Sequence, residues 1–174
     1  QEARRQRQMC IRDSSAPGLL EWLVLSRTLH MNAMTDLQGG GEIDPLTNEN
    51  LPAWFVDTFR VPRSERTVEV DGCPIHYFEW GAPGKPGIVL THGFMAHARC
   101  WAFIAPLLAD RYHLAAFDLS GMGDSGWRPH YGFGPRADEA LAVAAAADMQ
   151  RPALVCHSYG GAVGMASVEA EPDN

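Results

Sequence analysis

The sequence predicts an α/β fold: a three-layer arrangement in which helices cover both faces of a mostly parallel sheet that begins with a β-hairpin. Two β-rich runs are joined by Asp71 and Gly72, a dipeptide favoured in tight hairpin turns. Three later runs are almost continuously apolar, as strands buried on both faces are. Segments with helical patterns separate these runs, and this alternation indicates parallel strands joined by right-handed crossovers.

The strands are predicted, in chain order, at 66–70, 74–80, 87–93, 112–121 and 152–158. Helices are predicted at 101–110, at 137–149 and from Gly160 onward. The helix at 137–149 is rich in alanine, and its acids Asp138 and Glu139 are predicted in the first turn, where the helix dipole favours negative charge.

The chain of 174 residues is 46% hydrophobic and 20% charged, which is ordinary for one globular domain. Its formal net charge of -7 argues against nucleic acid or an anionic membrane as a partner and leaves a small-molecule substrate. The oligomeric state stays open. The four cysteines have no C-x-x-C spacing, so neither a zinc site nor a disulfide framework is expected. A reducing, cytoplasmic location fits best.

The chain divides at about residue 50. Residues 1–50 lack helix or strand periodicity and end in a stretch rich in Gly, Pro, Asn and Asp, so we expect a disordered or non-native extension followed by a linker. A native amphipathic extension is the alternative interpretation of the first 30 residues. The apolar run at 18–25 is too short to span a bilayer. The folded domain is therefore predicted at 51–174.

The motif around Ser158, "CHSYG", is the strongest indication of chemistry. A serine hydroxyl is a weak nucleophile, and a sharp turn from strand to helix presents it to a substrate when the residues two positions away are small. Here these neighbours are Cys156 and Gly160. Because serine is also a good N-cap, a plain turn serine before a helix is the competing interpretation.

A second motif, His92-Gly93-Phe94, directly follows the apolar residues "IVLT" at 88–91 of the third predicted strand. Acyl transfer needs backbone N–H donors for the developing oxyanion, and the amides of Phe94 and Tyr159 are the candidates. Gly93 permits the turn of this loop, and His92 is expected to order it by hydrogen bonding rather than to accept a proton. His157 is a supporting residue and not the base, because consecutive residues at such a turn point in different directions.

Three segments in this order, "LTHGF" at 90–94, "FDLSGMGDS" at 117–125 and "CHSYGG" at 156–161, resemble the α/β-hydrolase superfamily, specifically its serine esterase, lipase and carbon–carbon hydrolase branch. The resemblance implies the α/β-hydrolase fold, no cofactor, and a catalytic triad in the order serine, acid, histidine. Serine at the turn disfavours the haloalkane dehalogenase and epoxide hydrolase branches, which use aspartate there.

No histidine follows Ser158, and the acids after it lie in or just past the next helix. We therefore expect the triad acid and histidine beyond residue 174, a C-terminally incomplete domain, and no activity in this fragment alone. The strand before Ser158 is expected at an edge of the sheet, where it exposes apolar surface. A non-catalytic ligand-binding or receptor module on the same fold is the alternative function.

Two further patterns are weaker. Gly121, Gly123 and Gly126 satisfy the G-x-G-x-x-G spacing of dinucleotide sites, but loop residues follow them where that motif requires a helix. Cys156 is interpreted as a buried small hydrophobe. Three other histidines have no metal-ligand spacing and are predicted to be surface or cap residues: His97, His113 and His130.

Overall fold

A computed structural model describes Leu46 and residues 50–170. The division at residue 50 and the interpretation of the first 30 residues therefore fall almost entirely outside the described residues. In chain order the elements are α1 (Ala53–Thr58), β1 (Ser64–Val70), β2 (Cys73–Trp80), β3 (Gly87–Thr91), a 3₁₀ helix (Ala98–Trp101), α2 (Ala105–Leu108), β4 (His113–Phe117), α3 (Phe133–Ala146), β5 (Ala153–Cys156) and α4 (Tyr159–Ala170).

The five strands form one sheet in the order β1-β2-β4-β3-β5. Strands β1 and β2 form the predicted antiparallel hairpin, and β2 is also antiparallel to β4. Strand β3 runs parallel to both β4 and β5. At the hairpin turn Asp71 and Gly72 have φ of 49° and 74°, the left-handed conformations that tight two-residue turns require. The predicted α/β class and the initial hairpin are confirmed.

Two apolar clusters lie on opposite faces of the sheet, because neighbouring strand residues alternate in direction. Val89 belongs to the cluster under α3 and α4, whereas Leu90 belongs to the cluster under the 3₁₀ helix and α2. The largest buried side chains include members of both clusters: Tyr77, Phe78, Trp80, Leu114 and Phe117. The sheet is thus the middle of three layers, and the ends of its strands carry the candidate site.

The predicted helix at 101–110 is wrong as a single element. The structure has two short pieces there, the 3₁₀ helix ending at Trp101 and α2 beginning at Ala105. Pro106 stands in the first turn of α2, where its missing N–H leaves no helical hydrogen bond unmade. Within a longer helix the same proline would remove a bond and clash with the preceding turn, so the segment divides.

Helix α3 begins at Phe133, four residues before the predicted start. The acids at 138 and 139 consequently lie beyond the first turn, and the proposed stabilisation by the helix dipole is wrong. Glu139 is instead fully buried, and its carboxylate accepts hydrogen bonds from Arg128 Nε at 2.9 Å and from the Ser120 amide at 3.0 Å. These hydrogen bonds link the loop after β4 to α3.

Strand β5 lies at the edge of the described sheet, as the sequence predicted. Val155 on β5 and Met165 and Val168 on α4 are 40%, 77% and 59% exposed. We call these three residues the edge surface. Met165 and Val168 line an open apolar groove beside β5 and α4, and Val155 lies between two β5 residues that line it, Leu154 and Cys156. No helix in the described part of the chain has the length and hydropathy that a bilayer span requires.

The 174-residue chain expressed alone is expected to self-associate, because unpaired strand edges and adjoining apolar surface promote association. Placing charge on the edge surface with Val155→Lys and Met165→Lys should lower the apparent mass in sedimentation velocity. Leu107→Lys, an exposed leucine on α2, is the control and should change nothing. A monomer with a sharp cooperative melt in the unaltered chain would contradict the prediction.

Candidate active site

The turn between β5 and α4 presents Ser158. Its φ is +51°, in the left-handed region, where a residue with a side chain is strained by about 1–3 kcal/mol. Strand β5 ends two residues before it, and α4 begins at the next residue, Tyr159. Ser158 is exposed, and within residues 50–170 its hydroxyl makes no hydrogen bond. The predicted sharp turn from strand to helix is present.

Gly160 allows the start of α4 to lie directly against the end of β3. A Cβ atom at this position would lie 2.7 Å from the carbonyl oxygen of His92 and 2.8 Å from that of Thr91. The neighbouring His157 amide donates a hydrogen bond to the same Thr91 oxygen at 2.9 Å. The glycine two residues after Ser158 is therefore a steric requirement of this packing.

Cys156, on the other side of the turn, fits because α4 has a glycine opposite it at position 164. A Cβ atom at Gly164 would lie 2.6 Å from the Cys156 Sγ atom, so the absence of that Cβ gives the thiol its space. Burial raises the pKa of Cys156, partly offset by hydrogen bonding to Thr91 and Gly164. The thiol stays protonated at neutral pH, as expected of an unreactive small side chain, but the prediction that Cys156 is buried is only partly correct, because β5 lies at the sheet edge and leaves Cys156 half-buried.

The loop after β3 passes against this turn. A Cβ atom at Gly93 would lie 2.9 Å from His157 Nδ1 and 3.3 Å from Ser158 Cβ, so the structure brings the two predicted motifs together. The rings of Phe94 and Tyr159 have centroids 5.9 Å apart. Within residues 50–170, neither the Phe94 nor the Tyr159 backbone N–H donates a hydrogen bond. Both amides are thus available to a ligand.

His92 links the loop after β3 to the loop after β4. The side chain is completely buried, its Nδ1–H donates to the Gly93 carbonyl at 2.7 Å, and its Nε2 accepts from the Leu119 amide at 3.1 Å. Burial lowers the pKa of His92, although the bond to Gly93 partly opposes this effect. With both ring nitrogens occupied and the ring neutral, His92 has the geometry of a structural residue.

The glycine-rich loop after β4 is organised by Asp118. This buried carboxylate accepts hydrogen bonds from the Ala98 amide at 2.6 Å, from the Asp124 amide at 3.1 Å and from His76 Nδ1 at 2.8 Å. A Cβ atom at Gly123 would lie 2.3 Å from the carboxylate. The glycines let this loop pack closely against the Asp118 carboxylate. The next helix begins only at Phe133, whereas a dinucleotide motif requires a helix directly after the glycines.

The predictions for the other histidines are partly correct. His97 and His130 are exposed, and His97 is the N-cap residue of the 3₁₀ helix. The surface prediction for His113 is wrong. Its side chain is buried and its Nε2 lies 2.7 Å from Glu79 Oε1 on another strand. The sequence signal was Glu79 within the apolar run of β2, because a buried carboxylate needs hydrogen-bond partners.

Sequence reasoning also missed a polar cluster on the hairpin side of the sheet. Ligand-type atoms of Glu65, His76 and Asp124 lie within 4.8 Å of one another, brought together from two strands and a loop. Each group already has partners. His76 contacts Glu65 at 2.9 Å as well as Asp118, and Asp124 pairs with Arg99 at 2.7 Å. The cluster is satisfied by ion pairs and hydrogen bonds within the described residues.

An exposed serine on a turn from strand to helix, with a glycine-containing loop beside it, is typical of hydrolases built on an α/β sheet. Residues 88–172 match the alpha/beta hydrolase family, and solved hydrolases share the fold. The chain belongs to the α/β-hydrolase superfamily.

Three relatives illustrate the likeness. The uncharacterized hydrolase YugF of Bacillus subtilis is 28% identical over 110 residues, which are 62% of this chain and 40% of that protein. Epoxide hydrolase A from Mycobacterium thermoresistibile is 29% identical with a TM-score of 0.61, over 64% of this chain and 36% of its own. The 2-hydroxy-6-oxo-6-phenylhexa-2,4-dienoate hydrolase from Rhodococcus is 30% identical with a TM-score of 0.60, over 65% and 43%. The chain therefore spans about two fifths of the length of these relatives.

Two neighbouring glycines of α4 provide a matched test of the packing at the turn. Gly160→Ala is expected to lower the free energy of unfolding by about 1–3 kcal/mol, because its methyl group meets two carbonyl oxygens. Gly161→Ala has nothing within 4 Å and is expected to be neutral or to stabilise by up to about 1 kcal/mol. Urea denaturation measures both, and equal effects of the two substitutions would refute the steric argument.

The buried neutral His92 makes folding sensitive to acid. Because its pKa in the folded chain is lowered, the unfolded chain binds a proton first as the pH falls below about 6.5. The stability contributed by the neutral ring is present above that pH and is lost below it. Urea denaturation across this range should show a smaller pH dependence in His92→Gln. His130→Gln, at an exposed position, should retain the original dependence, and an unchanged slope in His92→Gln would overturn the expectation.

Proposed function

We propose that the native protein is a serine hydrolase that cleaves an ester, or a related acyl or carbon–carbon bond, of a small apolar substrate. Ser158 is the proposed nucleophile, and the amides of Phe94 and Tyr159 form the proposed oxyanion hole. The observation that carries the proposal is the φ of +51° at an exposed serine between β5 and α4. A serine that only caps a helix has an extended backbone and none of this strain.

The free amides support the second part of the proposal. They come from separate loops, yet the contact of Gly93 with Ser158 keeps these loops together at one end of the parallel strands. Tyr159 is the first residue of the 12-residue helix α4, so the positive end of the helix dipole lies at the same place. Each oxyanion donor of this kind contributes about 3–4 kcal/mol to stabilising the transition state.

In the proposed reaction the Ser158 oxygen attacks the carbonyl carbon of the substrate, and its proton passes to a base. The carbonyl oxygen gains the negative charge, which the two amides stabilise. Collapse of this intermediate expels the leaving group, which takes the proton from the base and leaves an acyl ester on the serine. Water then attacks in the same way and releases the acid.

The base and its acid partner are proposed to come from residues of the native protein outside 50–170. Inside that range no histidine is hydrogen-bonded to Ser158 Oγ, and His92 is occupied on both nitrogens. The serine, acid, histidine order implied by the superfamily resemblance is compatible with this. The relatives described above are more than twice as long as the part that this chain matches.

The apolar character of the substrate is inferred from an aromatic wall, which we define as Phe94, Phe133 and Tyr159. The Tyr159 ring lies 5.9 Å from the Phe94 ring and 5.4 Å from the Phe133 ring, centroid to centroid. Phe94 and Phe133 are 65% and 47% exposed. Exposed aromatic faces beside a nucleophile favour an apolar acyl or leaving group.

The proposed setting is a cytoplasmic enzyme that needs no cofactor and has neither nucleic acid nor membrane as a partner. The proposed steps use only a serine, amides, a base and water. Three cysteines in the described part of the chain, Cys73, Cys100 and Cys156, are free thiols, which suits a reducing compartment. Burial raises the pKa of Cys100 to about 11, so this thiol is not a competing nucleophile.

A fluorophosphonate probe tests the proposal in the native protein. The probe forms a covalent bond with an activated serine, so labelling is expected in the unaltered protein and is expected to disappear in Ser158→Ala. Ser64→Ala, at the start of β1, is the matched control and should label normally.

Two outcomes would overturn the assignment. Full labelling of Ser158→Ala would show that another serine reacts. A folded native protein that the probe does not label would favour the non-catalytic binding module.

A further inference from the structure

Arg136, on α3, joins three segments that surround the candidate site. The side chain is only 6% exposed. One terminal nitrogen donates a hydrogen bond to the Tyr159 hydroxyl, and the other donates to the Ser120 carbonyl at 3.3 Å. The guanidinium carbon also lies 5.0 Å from the centroid of the Tyr159 ring and 5.1 Å from that of Tyr131.

The charge of Arg136 has no carboxylate partner among residues 50–170, and its Nε atom is buried without a hydrogen bond. Arg128 provides a contrast within the same region. Its side chain is equally enclosed, but its Nε pairs with Glu139 at 2.9 Å. Burying a guanidinium without a counter-charge is costly, so the contacts with aromatic rings and oxygens must compensate for it.

The most extensive of these contacts is with Tyr159, the residue whose amide belongs to the proposed oxyanion hole. Arg136 meets this side chain twice, at the hydroxyl and over the ring. Tyr159 is only half-buried and is the first residue of α4. A side chain held at both its ring and its hydroxyl cannot rotate away, which also restrains the backbone that carries it.

We propose that Arg136 is a positioning residue of the active site, which holds the Tyr159 side chain against α3 and thereby fixes the Tyr159 amide beside Ser158. This inference rests on the proposed function and adds a residue that neither motif contains. Arg136 acts through Tyr159 and not on the substrate.

The positive charge of Arg136 also favours the proposed oxyanion hole electrostatically. Burial is the main cause of the lowered pKa of His92, and the Arg136 guanidinium lowers it further. The positive field of Arg136 therefore extends to His92, at the start of the loop that carries Phe94. A positive field at that place favours the negative charge that develops on the substrate oxygen. The same side chain therefore restrains one oxyanion donor and makes the potential around both more positive.

The test measures hydrolysis of p-nitrophenyl butyrate by the native protein and by three variants. Arg136→Met removes the charge and both donors from an unbranched side chain and is expected to lower kcat by about 10- to 100-fold, because small displacements of catalytic groups have effects of this size. The rise in KM should be smaller than the fall in kcat, because an oxyanion donor acts mainly in the transition state, whereas loosening the Tyr159 ring of the aromatic wall affects only substrate binding. Tyr159→Phe keeps the ring and loses only the hydroxyl, so its loss of kcat should be smaller. The double variant should be no slower than Arg136→Met.

A matched pair separates positioning from stability. Arg136→Lys and Arg128→Lys both keep the charge and lose the planar fork of a buried arginine. Each should lower the melting temperature, but only Arg136→Lys should lower kcat and shift the ¹H–¹⁵N resonance of the Tyr159 amide. The mild Tyr159→Phe variant keeps the test decisive if Arg136→Met does not fold.

The outcomes are distinguishable. Equal kcat values for the two lysine variants, or an unmoved Tyr159 resonance in Arg136→Lys, would overturn the role of Arg136 while Ser158-dependent labelling persists. A folded native protein without labelling or hydrolysis would refute the proposed function, and the positioning role of Arg136 with it.

Discussion

The candidate site depends on the close approach of α4 to the end of β3. At Gly160 the helix lies so near the Thr91 and His92 carbonyl oxygens that a methyl group would overlap them. To enter the helix at this distance from a neighbouring strand, the chain must turn abruptly, and Ser158 takes up the turn with a left-handed backbone. The serine is thereby lifted out of the sheet to the edge where the parallel strands end, which is where open α/β sheets bind ligands.

Buried acceptors hold the loops around that turn. Asp118 gathers backbone amides of two segments, Glu139 anchors the Ser120 amide, and neutral His92 links its own loop to Leu119. Irregular backbone at the end of a sheet leaves amides that strands cannot satisfy, so enclosed side chains must accept their hydrogen bonds. The amides of Phe94 and Tyr159 are exceptions to this pattern, and they are the two that the proposed chemistry uses.

The predictions from sequence succeeded where the physical signal is local. The dipeptide Asp71-Gly72 predicted the hairpin, and both residues have the positive φ that its turn requires. The turn at Ser158 was predicted from a strand, a serine and a glycine within a few positions. The predictions were wrong where a neighbour in space decided the outcome. His113 lies in an apolar run, yet its polar side chain was predicted at the surface, and it is buried because it pairs with Glu79 on another strand. The helix predicted at 101–110 divides because Pro106 can start a helix but cannot continue one.

The sequence by itself determined the five strands and their order along the chain, the superfamily, and the residues of the turn and its loop, because periodicity, glycine and proline act over a few residues. Only the tertiary structure decided which distant side chains meet. It places Gly164 opposite the Cys156 thiol and Arg136 against the ring of Tyr159. Contacts between residues far apart in the chain leave no repeating pattern in it, and they exist only once the layers have packed.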